Sequence, residues 1–311
     1  MIHLRIGCRT SRLATMQTEQ AGQYIVAKNP GATFELVPFQ TSGDRIAGSL
    51  KRAGGKGHFV RDVEAMLLAE EIDLAIHCLK DMPGNEKDNP QLLLAGFLPR
   101  EDAHDVFISR DYASIADLPH GAIVGTSSPR RGAQLRAIRA DLKIDENYRG
   151  SIDTRIRKVM DGEVSSTLLA LAGLNRVHDT EWSAKRLDIA DFLPSFGQGT
   201  LALQCLAAND AVRECCANAS DVDTAYASIA ERACLRILNG DCHTAVAGFC
   251  RKLGSEWHFD AAVYDPVNPK EASVHVVLTS ADEEPSAFGA RVAGALLERG
   301  GRRLLPGNEP A

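Results

Sequence analysis

The stretch Ala122-Ile123-Val124-Gly125-Thr126-Ser127-Ser128-Pro129-Arg130-Arg131 passes from strand to helix within ten residues. Ala122, Ile123 and Val124 form a short strand-like run. Ser128 is a good helix N-cap, and Pro129 is preorganised for the first helical position. Backbone N–H groups at a helix start favour an anion, and Arg130 and Arg131 add charge and directional donors. The plain alternative is a capped helix with solvated arginines. The flanking Thr-Ser-Ser and the paired arginines favour the anion.

Working outward, the device recurs twice. Arg9-Thr10-Ser11-Arg12 follows a first strand through Leu4, Ile6 and Cys8. Arg149-Gly150-Ser151-Ile152-Asp153-Thr154-Arg155 offers Ser151 as a cap. Three basic strand-to-helix turns suggest a polyanionic ligand, because ligands of α/β sheets sit beyond the carboxyl ends of strands. Phosphate and carboxylate both fit. The chain has no GxxxxGK[ST] loop and no clean GxGxxG, which disfavours a nucleotide.

Further strand signals lie at Phe34–Pro38, Leu74–Ile76, Val106–Ile108 and Thr167–Leu169. Helical spacing joins Ala14, Ala21 and Ile25, then Phe59, Val63, Met66 and Leu67, with more helix near 130–139 and 151–162. Alternation of this kind predicts an α/β protein with parallel or mixed sheets covered on both faces. Residues 83–103, rich in Pro, Asn, Asp and Glu, read as a crossing between domains. Pro194-Ser195-Phe196-Gly197-Gln198-Gly199 reads as a hinge returning the chain to the first domain. From 221 a long helix, strands near 257–263 and 273–279, and a helix near 286–299 predict a third, α+β domain.

The chain has 311 residues, 44% hydrophobic and 24% charged, with a net charge of −6. An acidic chain disfavours general nucleic-acid binding and makes local arginine clusters more telling. No apolar run approaches the roughly 18 residues of a membrane helix. Met1-Ile2-His3-Leu4 enters a strand with no signal-peptide stretch, so a cytoplasmic location is expected. Eight irregularly spaced cysteines, without zinc spacing, read as thiols rather than disulfides or metal ligands. Cys205, Cys215, Cys216, Cys234 and Cys250 have apolar neighbours and read as inert core residues.

Three further places carry chemistry. Cys242 lies in the polar loop Leu238-Asn239-Gly240-Asp241-Cys242-His243-Thr244 and is a candidate nucleophile. His77-Cys78-Leu79-Lys80-Asp81-Met82-Pro83 closes a buried strand, with Lys80 and Asp81 pointing different ways. Asp81 is suited to general acid work or to a cation, and Lys80 to an anion. His77 alone reads as a satisfied core histidine. Gly54-Gly55-Lys56-Gly57-His58-Phe59 is a glycine-rich loop, with Lys56 for an anion and Phe59 for a ring or for the core.

These motifs, in this order and over nearly the whole chain, resemble the hydroxymethylbilane synthase (porphobilinogen deaminase) family. The resemblance is carried by Arg9-x-Ser11, Thr41-Ser42-Gly43-Asp44, Gly54-Gly55-Lys56-Gly57-x-Phe59-Val60 and His77-x-x-Lys80-Asp81-x-Pro83. It continues through Arg100-Glu101-Asp102-x-x-Asp105-x-Phe107, Gly125-Thr126-Ser127-Ser128-x-Arg130-Arg131, Arg149-Gly150-x-x-x-Thr154-Arg155 and Leu169-Ala170-x-Ala172-Gly173-Leu174-x-Arg176. Gly197-Gln198-Gly199, Glu231-Arg232-Ala233 and Cys242 complete it.

The resemblance implies three domains. Domain 1 is 1–97 with 198–218, domain 2 is 98–197, and domain 3 is 219–311. The first two are periplasmic-binding-protein-like α/β domains that form the catalytic cleft, and the third is α+β and carries the cofactor cysteine. A dipyrromethane cofactor would be held by a thioether to Cys242. The activity would be stepwise condensation of four porphobilinogens with loss of ammonia, giving linear hydroxymethylbilane for tetrapyrrole and haem biosynthesis. Asp81 would be catalytic, assisting ammonia departure and stabilising positively charged intermediates. Arg9, Ser11, Lys80, Thr126, Ser128, Arg130, Arg131, Arg149, Arg155 and Arg176 would bind carboxylates. Lys56 and Phe59 would belong to an active-site loop, and Gly197, Gln198 and Gly199 to the hinge. The resemblance favours a monomer acting on a small molecule, with neither nucleic acid nor membrane as partner.

Some positions depart from the family pattern. Arg12 follows Ser11 where proline is usual, and Asp153 adds negative charge near a carboxylate site. Gln204-Cys205-Leu206 replaces Glu-Cys-Arg, and Asp241 and Ala245 alter the cofactor loop. The competing reading is a non-catalytic or specialised paralogue that captures an anionic ligand.

Overall fold

A computed structural model of the chain describes residues 2–39, 57–82, 84, 89–177, 185–241, 243–266 and 273–306, with the side chains of 57–59 outside that set. The order begins β1 (His3–Arg9), α1 (Arg12–Lys28), β2 (Thr33–Phe39), α2 (Gly57–Leu68), β3 (Leu74–Cys78) and β4 (Leu92–Phe97). It continues β5 (Asp105–Ile108), β6 (Ile123–Gly125), α3 (Pro129–Ile138), β7 (Lys143–Asp145), α4 (Ile152–Met160), β8 (Ser166–Ala170) and α5 (Leu171–Val177). It ends β9 (Leu201–Leu206), α6 (Asp210–Ala219), α7 (Val222–Ile237), β10 (Val246–Leu253), β11 (Glu256–Val263), β12 (Val274–Ser280) and α8 (Pro285–Glu298). Two compact units result: Met1–Glu101 with Gly199–Ser228, and Asp102–Gln198 with Ile229–Ala311.

The first unit holds a sheet of order β2-β1-β3-β9-β4. β1 runs parallel to β2 and β3, and β9 runs antiparallel to β3 and β4. Period-two alternation explains β1: Leu4 and Ile6 are fully buried, sharing a core with Ala21 and Ile25 of α1 and Val212, Cys216 and Ala219 of α6. Each such Leu or Ile stabilises the fold by roughly 1.5–3 kcal/mol. A second core joins Val63 and Leu67 of α2 to Ile72, Ala75 and Leu92.

The second unit holds two sheets. In the order β5-β8-β6-β7, strands β8, β6 and β7 are parallel and β5 is antiparallel at the edge. Phe107, Val124, Leu135, Leu168 and Phe192 form its core. The antiparallel sheet β10-β11-β12 carries α8, with Phe259 edge-on to Phe288 at 5.8 Å.

The α/β reading holds, and the strand-to-helix turn over 122–131 lies where expected. Ser128 caps α3, its Oγ accepting from Arg131 N, with Pro129 in the first turn. The chain passes from the first unit to the second at Glu101–Asp102, inside the 83–103 crossing, and strand β4 occupies the apolar run Leu92–Phe97 of that stretch. That run becomes a strand only by pairing with β9, more than a hundred residues away. The five cysteines read as core residues are all buried.

Candidate active site

In the first unit, β1 and β3 are parallel neighbours, so Arg9 and the pair His77-Cys78 arrive at the same sheet edge. β3 turns at once into a 3-10 segment, Leu79–Asp81, tied down by Leu79 N donating to Thr200 O at 3.0 Å. A cavity of about 210 Å³ opens at this edge. Arg9, Ser11, Gln17, His77, Cys78 and Asp81 contribute its polar lining, while Val60, Val63, Ile76 and Met82 contribute apolar lining. Cys78 Sγ donates to Gln17 Oε1 at 3.2 Å. Asp81 is half-buried, as is Lys80 on the same turn.

Ser11 occupies the N-cap position of the 17-residue α1 but makes no side-chain capping bond. Its hydroxyl and the first N–H groups of the helix thus border the cavity with Arg9, a combination that favours a carboxylate.

The second unit gathers the other predicted residues at strand ends. Because β6, β7 and β8 are parallel, Thr126 and Ser128 after β6, Arg149 after β7 and Arg176 on α5 after β8 belong to one edge of the sheet. Thr126 is buried, and its Oγ1 accepts from Ser128 N at 3.2 Å. Ser151 caps α4 through Thr154 N, and Arg155 Nε donates to Gly150 O at 3.0 Å. Gly150 has φ +132°, where any Cβ would also meet the Thr154 side chain. Arg149 is exposed, and Arg155 and Arg176 are half-buried.

Arg130 and Arg131, expected to add charge and donors for an anion, turn to an anionic side chain of the protein itself. Both are buried, and both pair with Asp105, which has no exposed surface. Arg130 Nη2 meets Asp105 Oδ2, and Arg131 Nη2 meets Oδ1, each at 2.7 Å. Their Nη1 atoms donate to Leu193 O and Leu168 O. Burial by itself pushes Asp105 up, but the charges and hydrogen bonds of the two arginines outweigh it and hold the carboxyl well below the usual range. Sequence reasoning used Asp105 only as a motif residue and missed this bond. The sequence signal is an acidic residue opening a buried strand, where it must find a cationic partner.

Gln198 Nε2 also donates to Asp105 Oδ1, at 3.0 Å, and to Ala103 O. Gly197 N donates to Glu231, which is fully buried and also accepts from Cys250 N. The boundary between the two units falls between Gln198 and Gly199, within the segment read as a hinge. Lys56, the side chain of Phe59, Thr41-Ser42-Gly43-Asp44 and Cys242 lie outside the described residues.

A sheet edge that assembles a carboxylate, an arginine and an uncapped helix start, in a chain with a second arginine-rich edge, defines an α/β protein made for a small polyanionic molecule. Comparison with known proteins gives the class its family. The family model "Porphobilinogen deaminase, dipyromethane cofactor binding domain" matches residues 4–214. The porphobilinogen deaminases of Syntrophotalea carbinolica and Stenotrophomonas maltophilia (strain R551-3) are each 39% identical over 303 residues. Both matches cover 97% of this chain, with 95% and 98% of the relatives' own lengths. That of Alkaliphilus metalliredigens is 36% identical over 97% of this chain and 94% of its own. Among solved structures, a nutrient-binding protein from Burkholderia cenocepacia bound to methionine aligns over 71% of this chain and 93% of its own, with a TM-score of 0.43 and 13% identity. The chain belongs to the porphobilinogen deaminase family, and so is a transferase carrying that family's cofactor-binding domain.

Proposed function

We propose that this chain joins four porphobilinogen molecules head to tail on a dipyrromethane primer held by Cys242, releases ammonia at each addition, and frees linear hydroxymethylbilane by hydrolysis. The observation that carries the reading is the cavity where β1 and β3 end, which brings Arg9, Ser11 and Asp81 together.

The residues present suit the cofactor. Asp105 with Arg130 and Arg131 leaves one positive charge in excess, and Arg131 Nε is buried without a hydrogen-bond partner among the described residues. Both features favour an added carboxylate. When bound, the dipyrromethane supplies the free pyrrole end to which each new unit is joined.

The chain's own residues then divide the work. Arg9 and Ser11 hold substrate carboxylates at the start of α1. Arg131, Arg149, Arg155, Arg176, Thr126 and Lys80 hold those of the cofactor and the growing chain. Arg130, with Nη1 and Nη2 engaged, acts by positioning Arg131 and the 193–198 segment. Ser128 shapes the turn as a cap. Asp81 places negative charge where the departing ammonia leaves a cation, and an ionised carboxylate stabilises such a charge far more in a cavity than in water.

The reading divides the chain into the three domains expected from the sequence, supported by one sheet within each. It also makes the protein a cytoplasmic monomer. Among the described residues, no helix is long and apolar enough to cross a membrane.

Intact mass of purified protein beside a Cys242→Ser variant tests the proposal. An added mass of two porphobilinogen units less two molecules of ammonia, present only with Cys242, is expected, together with porphobilinogen consumption. A bare polypeptide that stays bare after incubation with porphobilinogen overturns it.

A further inference from the structure

His77 on β3 and Gln204 on β9 are 127 positions apart in sequence. The antiparallel register sets Ala75 opposite Gln204 and His77 opposite Ala202. His77 and Gln204 are thus diagonal neighbours on one sheet face, within reach of long side chains. His77 Nε2 lies 2.8 Å from Gln204 Oε1, and Gln204 Nε2 donates to Glu64 Oε1 of α2 at 2.8 Å. Imidazole and amide are both buried. Ala75, directly opposite Gln204, belongs to an apolar cluster with Val63, Leu67, Ile72 and Leu92.

The chain of bonds has a direction. A carboxylate accepts and does not donate. Glu64 therefore takes the NH2 end of the Gln204 amide and turns the carbonyl end toward His77. That carbonyl only accepts, so Nε2 carries a hydrogen. His77 lines the cavity that Arg9 and Asp81 also line, with Glu64 behind the amide. Asp81 follows four residues later, one 3-10 turn past the strand end. An amide at 204 serves both neighbours, whereas a glutamate there would have no hydrogen to give Glu64 when ionised.

Buried polar chains are hard to justify by stability alone, because apolar groups of the same shape can replace both partners at little cost. We propose that His77 is a positioning residue for the condensation: Glu64 and Gln204 hold its ring in one tautomer, and with it the strand end from which Asp81 departs. The inference rests on the deaminase reading.

The test uses the holoenzyme labelled with 15N-histidine, with the His77 signals assigned by a His77→Gln variant. Gln204→Met removes both bonds. The exchange Glu64→Gln with Gln204→Glu reverses the donor and acceptor but keeps both. The expected result for Gln204→Met is loss of the Nε2–H tautomer signature and a fall in kcat of about tenfold, with KM within about twofold. Cofactor mass is retained and the thermal midpoint is unchanged or higher. The exchange variant restores the tautomer and most of kcat, and it decides alone should Gln204→Met not fold. Wild-type kcat in Gln204→Met, or an exchange variant that folds yet recovers neither property, overturns the inference alone. Wild-type protein that consumes no porphobilinogen overturns the deaminase reading, and the inference falls with it.

Discussion

Arg131 Nη2 lies 2.7 Å from Asp105 Oδ1, the same oxygen that accepts from Gln198 Nε2 at 3.0 Å. One buried carboxylate thus ties the arginine helix α3 to the 193–198 segment. Replacing it with Asn leaves two buried guanidinium groups without a countercharge, and Asp105→Asn should destabilise the protein by roughly 3–5 kcal/mol. The folded carboxyl is held below the usual range. Its stabilisation is therefore full above the unfolded value of about 3.9 and is lost only as pH falls through the folded value. Urea unfolding of both proteins should show a constant gap from about pH 5 to 8 that narrows only in stronger acid. A gap that shrinks as pH rises toward 8 contradicts the arrangement.

Asp81→Ala should lose turnover by about 10²-fold or more, the usual weight of such a group, with the fold intact. Ammonia release and far-UV circular dichroism measured on one sample separate the two effects. Full activity removes Asp81 from the chemistry.

The three serines at basic helix starts should behave differently. Ser128 and Ser151 use their hydroxyls as caps, and Ser11 does not. Ser128→Ala and Ser151→Ala should each reduce unfolding free energy by about 1 kcal/mol. Ser11→Ala should change it by under ~0.5 kcal/mol while raising KM for porphobilinogen. Thermal unfolding and initial rates check this, and an equal stability loss in all three removes the distinction.

Gly199 has φ +90°, and a Cβ there would lie 2.2 Å from Glu101 O. Gly199→Ala is strained twice, by conformation and by the clash with backbone. A loss of about 1–3 kcal/mol is expected, read as a lower thermal midpoint. An unchanged midpoint means that residue 101 moves aside freely.

Local chemistry was legible in the residues themselves. The Ser128-Pro129 and Ser151 helix starts, the alternation in β1, the buried cysteines and the ordered motifs each depend on neighbours a few positions away. Long-range pairing was not. Leu92–Phe97 is a strand only because β9 pairs with it, and its apolar run sits among residues that otherwise read as loop.

The same division separates the two kinds of arginine. By itself the sequence determined that this is an α/β chain with basic turns after its strands, and it identified the family. Tertiary structure decided that Arg130 and Arg131 turn inward to Asp105, 25 and 26 positions away. It also decided that His77 meets Gln204 across the sheet. A charge in sequence has no address until the fold removes water from around it. Desolvation then obliges each buried polar group to take whatever partner the packing brings within reach.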